Sequence, residues 1–334
     1  MRRTRTRPAE ALPRLAAPAR KWRASPLLIL TISAAFAAVN VLTYSTAASW
    51  VSALNQSQVV TRYDESINHT QPSAVDQLRA AHAYNAALSS GALLAANERV
   101  PQGSGELARS SLDYNKMLVT PTGVMARLQI PKIDVDLPIY HGTSEETLEV
   151  GVGHLEGTSL PVGGPSTHSV LTGHRGLPSA TLFTNLDEVE VGDLFTITTF
   201  GDVLTYRVRD KKVVAPEDTQ TLRQIEGQDL VTLVTCTPLG VNSHRILVTG
   251  ERVTPTPPEA LAEAAAPALD PGFPWWAVAY VGALILIGLY AWWAGTPLAP
   301  RRPKAPEHPK LAARTPDDSS QGLLDLVSSD AGGP

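Results

Sequence analysis

Cys236 is the only cysteine among 334 residues, and it ends the apolar run Asp229-Leu-Val-Thr-Leu-Val-Thr-Cys236, with Arg245 nine residues further on. A lone thiol can form no intrachain disulfide, and no Cys-x-x-Cys spacing exists to hold zinc. That leaves a buried small hydrophobe or a nucleophile. A thiol nucleophile needs a base or cation to hold the thiolate, and acyl transfer needs donors for its oxyanion. His174 lies in Leu171-Thr-Gly-His-Arg-Gly-Leu-Pro178, just past a β-type run, where Gly173 and Gly176 let the backbone turn and expose the ring. Arg245 opens the last β-type run, in Asn242-Ser-His-Arg-Ile-Leu-Val-Thr-Gly250. If the strands ending at Cys236 and starting at Arg245 are neighbours, both side chains point into one groove. If Cys236 is a nucleophile and not a buried thiol, His174 and Arg245 are of the types it would need beside it.

Other polar residues carry plainer readings. His141 and His154 stand beside glycines and are expected to organise loops by hydrogen bonding, while His244, adjacent to Arg245 on a strand, should face the opposite side. Thr235 and Thr237 flank the thiol either as donors to a substrate or simply as good β-formers. Asp134, Asp136, Glu145, Glu146 and Glu149 lack the spacing of a calcium loop and read as scattered surface carboxylates. No metal, cofactor or nucleic-acid partner is expected.

The elements that must position these residues begin with two apolar spans. Residues 25–48 contain no charged side chain and only Asn40 as a strongly polar one, long enough at about 1.5 Å per residue to cross a hydrocarbon core of about 30 Å. Residues 275–294 form a second uncharged stretch, opening on Trp275 and Trp276 and closing with Tyr290, Trp292 and Trp293, an aromatic placement suited to both headgroup layers. Eight Arg and Lys residues precede the first span against one acid, and Arg301, Arg302, Lys304, Lys310 and Arg314 follow the second. By the positive-inside rule both termini are cytoplasmic and the segment between the spans is exported. The alternative for the first span is a cleaved secretory signal, since residues 46–49 are small, although the apolar run exceeds the usual length of about 7 to 15 residues. Either way the middle leaves the cytoplasm, where a solitary cysteine is a liability unless buried or used.

Between the spans, residues 73–98 read as a helix with Val75, Leu78, Ala81, Leu88 and Ala92 on one stripe, interrupted by Asn85. Residues 106–121 fit another short helix or a loop lying across the next domain. From Gly123 the pattern changes to short β-type runs separated by Pro and Gly: 124–130, 135–140, 169–172, 194–199, 203–214, 230–235 and 245–253. Seven or eight strands at this spacing point to a mainly β sandwich or closed barrel. The expected organisation is a basic tail (1–24), a transmembrane helix (25–48), a helical segment (49–122), a β domain (123–254), a Pro/Ala-rich linker (255–273), a second transmembrane helix (274–295) and a polar tail (296–334).

At this point the sequence resembles a known family, the sortases, and among them the pilin-polymerising class C enzymes. Thr232-Leu-Val-Thr-Cys-Thr-Pro-Leu-Gly240 followed by Asn242-Ser-His-Arg245 is similar to the family's Thr-Leu-x-Thr-Cys block and its later arginine. Ile130-Pro-Lys-Ile-Asp-Val-Asp-Leu-Pro-Ile-Tyr-His-Gly142, Gly151-Val-Gly-His-Leu-Glu-Gly-Thr-Ser-Leu-Pro-Val-Gly-Gly164 and Leu171-Thr-Gly-His-Arg-Gly-Leu-Pro-Ser-Ala180 add three further blocks. The resemblance implies an eight-stranded β-barrel with Cys236 as nucleophile, His174 as acid or base and Arg245 binding substrate and oxyanion. It implies transpeptidation of a Leu-Pro-x-Thr-Gly-type sorting signal, with a pilin lysine as acceptor and no cofactor. A housekeeping sortase attaching surface proteins to a peptidoglycan precursor, or an idle binding module, are the alternatives. Class C enzymes commonly carry an Asp-Pro-aromatic lid before the barrel. No such tripeptide occurs between Gln56 and Met125, Asp113-Tyr114 being the nearest acid-aromatic pair. Leu239 stands where relatives often have tyrosine, at the groove wall.

Overall fold

In the computed structural model, which describes residues 22–88, 113–218 and 220–296, eight strands close into a barrel flanked by helices. The chain opens with α1 (Pro26–Ser66), started by Ser25, whose hydroxyl accepts from Leu28 N at 3.1 Å. After α2 (Ala74–Ala87) and a single 3₁₀ turn at Tyr114–Lys116 come β1 (Val124–Ile130), β2 (Val135–His141), α3 (Glu145–Val150), β3 (Val152–His154) and β4 (Thr167–Thr172). They are followed by β5 (Leu194–Thr199), β6 (Asp202–Val214), β7 (Asp229–Thr237), β8 (His244–Arg252), α4 (Pro258–Ala264) and α5 (Trp275–Gly295). Around the barrel the order is β1-β2-β3-β4-β7-β8-β6-β5. The β2–β3 and β4–β7 pairs are parallel and the rest antiparallel.

Seven strands fall where the apolar runs predict them. The eighth, β3, is three residues long and glycine-containing, too short for an alternating pattern to register; its pairing with β2 and β4 makes it a strand. Alternation along the others sends Leu128, Leu171, Phe195, Tyr206, Leu233 and Val248 into one interior cluster.

The helices complete that core. In α2 the buried face is Gln77, Ala81, Tyr84 and Asn85, followed by Leu88, whereas Val75, placed on the stripe by spacing, is 65% exposed. Asn85 interrupts the apolar pattern because its amide replaces a strand partner: Nδ2 donates to Leu160 O at 3.0 Å and Oδ1 accepts from Leu160 N at 2.7 Å. Gln77 does the same for Val119, at 2.9 and 2.7 Å. Residues 113–121 lie across the barrel with Tyr114, Met117 and Leu118 buried. Positions 89–112, which include Ala92, Glu98 and the start of the 106–121 segment, fall outside the described residues.

α1 and α5 are long and apolar enough to cross a membrane. They run together: the Tyr280 hydroxyl donates to Asn40 Oδ1 at 3.2 Å, and the rings of Trp50 and Trp276 lie 6.3 Å apart. The one strongly polar residue of the first span is thus a contact between the two helices. α1 does not stop at the end of its apolar stretch. It continues to Ser66, where Tyr63 is fully buried, its hydroxyl donating to Met125 O (3.3 Å) and accepting from Phe200 N (2.9 Å).

Asp136 corrects the reading of it as a surface carboxylate. It is buried, makes a two-pronged pair with Arg127 (2.7 and 2.8 Å) and accepts from Leu269 N at 3.0 Å. Arg127 also reaches Asp64 at 3.3 Å and the carbonyls of Ala264 and Ala266. A fork-to-fork ion pair with its remaining donors satisfied is the form in which buried charge is tolerated. Here it joins the end of α1, β1, β2 and the segment after α4.

Candidate active site

The thiol sits at the end of β7, and strand alternation decides which way it faces. Val231 and Leu233 turn into the barrel, while Val234 packs on the other side with Leu155, Val170, Leu222 and Leu247. Cys236 continues the second series and is half-buried. In the antiparallel β7–β8 ladder Val234 is paired with Leu247 and Cys236 with Arg245. Directly opposed residues place their Cβ atoms about 4.5–5.5 Å apart on one face, so thiol and guanidinium share a groove. His244 is paired with Thr237, on the alternate face, and its Nδ1 meets Ser243 Oγ at 2.9 Å.

His174 approaches from the other flank. The parallel β4–β7 ladder ends with Thr172 opposite Val234. The chain then stays beside β7 for one more residue: Gly173 N donates to Val234 O at 3.0 Å, and the Thr235 hydroxyl donates to Gly173 O at 2.8 Å. His174 follows one residue later, past the end of β4 and on the flank of β7 opposite β8. β4, β7 and β8 are adjacent, about 4.8 Å from one to the next, so Cys236 has Arg245 paired with it on one flank and the chain leading into His174 on the other.

The turn after His174 is tightly specified. A Cβ on Gly173 would meet the Phe183 ring at 2.7 Å, so the backbone approaches that ring as only glycine allows. Phe183 N donates to His174 O at 3.0 Å. Arg175 then clamps the loop to the thiol strand: Nη2 pairs with Asp187 at 2.6 Å, Nη1 donates to Thr237 Oγ1 at 3.0 Å and Nε donates to Thr184 O at 2.9 Å. Thr235 and Thr237 are therefore engaged in holding this loop, which accounts for their place beside the thiol.

Two residues join the site that spacing did not single out. Arg175 is one, hidden in sequence by its neighbour His174. Glu145 is the other: it opens α3 behind the N-cap Ser144 and puts Oε1 3.4 Å from His174 Nε2. It was grouped with surface carboxylates because its partner lies 29 residues away and only the fold brings them together.

The remaining histidines are structural. His141 Nε2 meets Met117 O at 2.7 Å. His154 is fully buried, with Nδ1 2.9 Å from the Tyr114 hydroxyl and Nε2 2.9 Å from Ser159 O. His168 spans Arg223 O and Thr232 Oγ1 at 2.9 and 2.7 Å. Burial holds all three below the ordinary imidazole pKa, His154 at about 4. Tyr114 packs against His141 and His154 and accepts from Gly142 N at 3.0 Å. Tyr114 is therefore a core contact, while Asp113 is exposed and pairs with Lys116 at 3.2 Å. Arg245 Nη1 donates to Asn242 O and His244 O at 2.9 and 3.0 Å. Among the described residues no group of side chains is arranged to hold a metal ion.

The Sortase domain family matches residues 128–253, which span β1 through β8. The sortase C-1 structure from Actinomyces oris is 51% identical, over 54% of this chain and 97% of that one, with a TM-score of 0.50. The sortase C structure from Streptococcus pneumoniae is 39% identical, over 60% of this chain and 99% of that one, with a TM-score of 0.51. Sortase D of Bacillus subtilis is 35% identical over 131 residues, 38% of this chain, and the chain spans 63% of that relative's length. An identity of one half across nearly the whole of a solved sortase C domain, on the same closed barrel, leaves one assignment: the chain belongs to the sortase family.

Proposed function

We propose that this chain is a membrane-anchored cysteine transpeptidase in which Cys236 is the nucleophile, His174 the acid and base, and Arg245 the oxyanion donor. The observation that carries this is the pairing of Cys236 with Arg245 on β7 and β8, with His174 following β4 on the other flank of β7. In the acylation step the Cys236 thiolate adds to the threonine carbonyl of a Leu-Pro-x-Thr-Gly-type signal. Arg245 donates to the developing oxyanion; Nη1 is committed to two carbonyls, and Nε and Nη2 have no partner among the described residues. Collapse of the adduct breaks the Thr–Gly bond, and His174 hands its proton to the departing glycine amine. An incoming amine then attacks the thioester, loses its proton to His174 and releases the thiolate, so the acyl energy is conserved without a cofactor.

The acceptor proposed is a pilin lysine. The likeness to sortase C domains supports it, among them the Streptococcus pneumoniae enzyme, whose structure bears on pilin substrate specificity. α1 and α5 are proposed to cross the membrane with both termini cytoplasmic and the barrel outside, supported by the basic residues that flank each span.

The test is mass spectrometry of the purified full chain incubated with a sorting-signal peptide. An acyl adduct on Cys236 is expected, absent in Cys236→Ala, and it should be discharged faster by a lysine-bearing pilin peptide than by a cell-wall amine. Equal adduct formation in Cys236→Ala would refute the mechanism, and faster discharge by the cell-wall amine would refute the pilin assignment.

A further inference from the structure

Because α1 is uninterrupted from Pro26 to Ser66, residue number along it is a height scale of about 1.5 Å per residue. The barrel is tied to that scale at three levels. Tyr63 bonds Met125 O and Phe200 N; Gln56 Nε2 donates to Val150 O at 3.3 Å; Ser45 Oγ donates to Pro178 O at 2.9 Å. Trp50 stands between the lower two, its ring tilted against Trp276 in the first turn of α5 and its indole donating to Gly272 O at 3.0 Å. Paired tryptophans at the start of an apolar span mark headgroup depth. Pro178 is anchored five residues, about 7 Å, below Trp50 on the apolar side of that mark.

Pro178 belongs to the loop that begins at His174. That loop touches the turn between β7 and β8: Gly176 takes a φ of +73°, and the Leu239 side chain fills the place its Cβ would occupy. Leu239 is 51% exposed and Val241 70% exposed. Between His174 and Asn185, and again between Cys236 and Arg245, there is no carboxylate. The exposed apolar side chains on offer are Pro178, Leu239 and Val241, with Arg245 beside them, while Leu177 packs on the barrel core. Apolar tips with a cation are the chemistry of a lipid headgroup boundary; the acids of the β4–β5 loop, Asp187, Glu188, Glu190 and Asp193, come after the 174–185 stretch.

We propose that the β4–β5 and β7–β8 loops dock on the bilayer through Leu239 and Val241, so that a lipid surface forms one wall of the approach to Cys236. The proposal rests on α1 and α5 being membrane spans. In it the rigid helix fixes the depth of Cys236, and the two apolar tips hold the barrel against tilting away.

The test uses the full chain in lipid nanodiscs, in a Cys236→Ala background that leaves no other thiol. Leu239→Cys, Val241→Cys, Leu286→Cys in α5 and Arg62→Cys, 17 residues above Ser45 on α1, are each labelled with an environment-sensitive fluorophore and exposed to brominated lipid. Quenching at 239 and 241 at least half that at 286, with none at 62, is expected. Quenching at 286 while 239 and 241 match 62 overturns the docking and leaves the spans standing. No quenching at 286 overturns the spans and the docking with them.

Discussion

Two glycine-preceded histidines, His154 in Gly153-His154 and His174 in Gly173-His174, stand one strand apart and do opposite things. His154 is paired with Leu171 on the inward face of the sheet, so it enters the core and finds both ring nitrogens partners there. His174 follows Thr172 on the outward face, past the end of β4, and meets Glu145. The difference between a structural and a functional histidine is here one of strand parity. His154, paired with Leu171, turns in and is held neutral by burial, whereas His174, two residues past Thr172, turns out.

The sharpest way to break this comparison is to exchange the two roles by mutation. His174→Asn should lower turnover by about 10²- to 10⁴-fold, the usual worth of a positioned acid or base, with the melting temperature unchanged. Arg245→Lys should cost about 10²-fold, because an ammonium cannot reproduce the guanidinium fork. His154→Asn should do the reverse, lowering the melting temperature while leaving turnover per folded molecule near wild type. Kinetics and thermal denaturation on the three variants decide it; loss of turnover in folded His154→Asn at the level of His174→Asn would erase the distinction.

Acid titration sharpens the same contrast from the stability side. His154 is held at about 4 by burial, against about 6.5 in the unfolded chain. Below pH 6.5 the unfolded chain takes up a proton that the folded chain refuses until about pH 4. Stability is therefore complete above 6.5 and is lost as the pH falls through that window, by about 3 kcal/mol at most from this residue. His141 and His168 are lowered by burial too and act in the same direction. Chemical denaturation at pH 7 and pH 5 should show the loss, and His154→Asn should flatten it; an unchanged slope would place the acid sensitivity elsewhere.

Tyr114→Phe removes a hydroxyl that serves His154 Nδ1 and Gly142 N together. Leaving both without that partner should cost about 1–3 kcal/mol by denaturant titration, with turnover preserved. A catalytic defect in the folded variant would reinstate Tyr114 as part of a lid over the thiol.

How much of this was legible in the chain follows from how far each contact reaches. Strands with four or more alternating residues, and the Cys236–Arg245 hairpin, are local patterns and could be read directly. The placement of His174 depends on a parallel pairing of β4 with β7, 62 residues apart, and no local pattern announces it; the family resemblance supplied it. Asp136 was misplaced for a related reason, since a carboxylate in a strand looks exposed until Arg127 appears on the paired strand, two-pronged and buried. Asn85 broke an apolar stripe because it pairs with a backbone 75 residues away.

Glu145 offers the finest adjustment of the comparison. His154 is oriented from both sides by neutral groups, whereas His174 has a carboxylate 3.4 Å from Nε2, delivered by the first turn of α3. Ser144 caps that turn through Thr147 N at 3.3 Å, so the position of Glu145 is set by a short local motif and not by the barrel. If the carboxylate orients the ring toward the thiol, Glu145→Gln keeps a hydrogen-bonding amide in the same place and should lower kcat only a few-fold. Glu145→Ala, which removes the contact, should lower it by about tenfold, with KM for a sorting peptide little changed in either case because the residue acts on the ring and not on the substrate. Equal and unaltered kcat in both variants would show that the β4 register and the Gly173 backbone bonds hold the imidazole unaided.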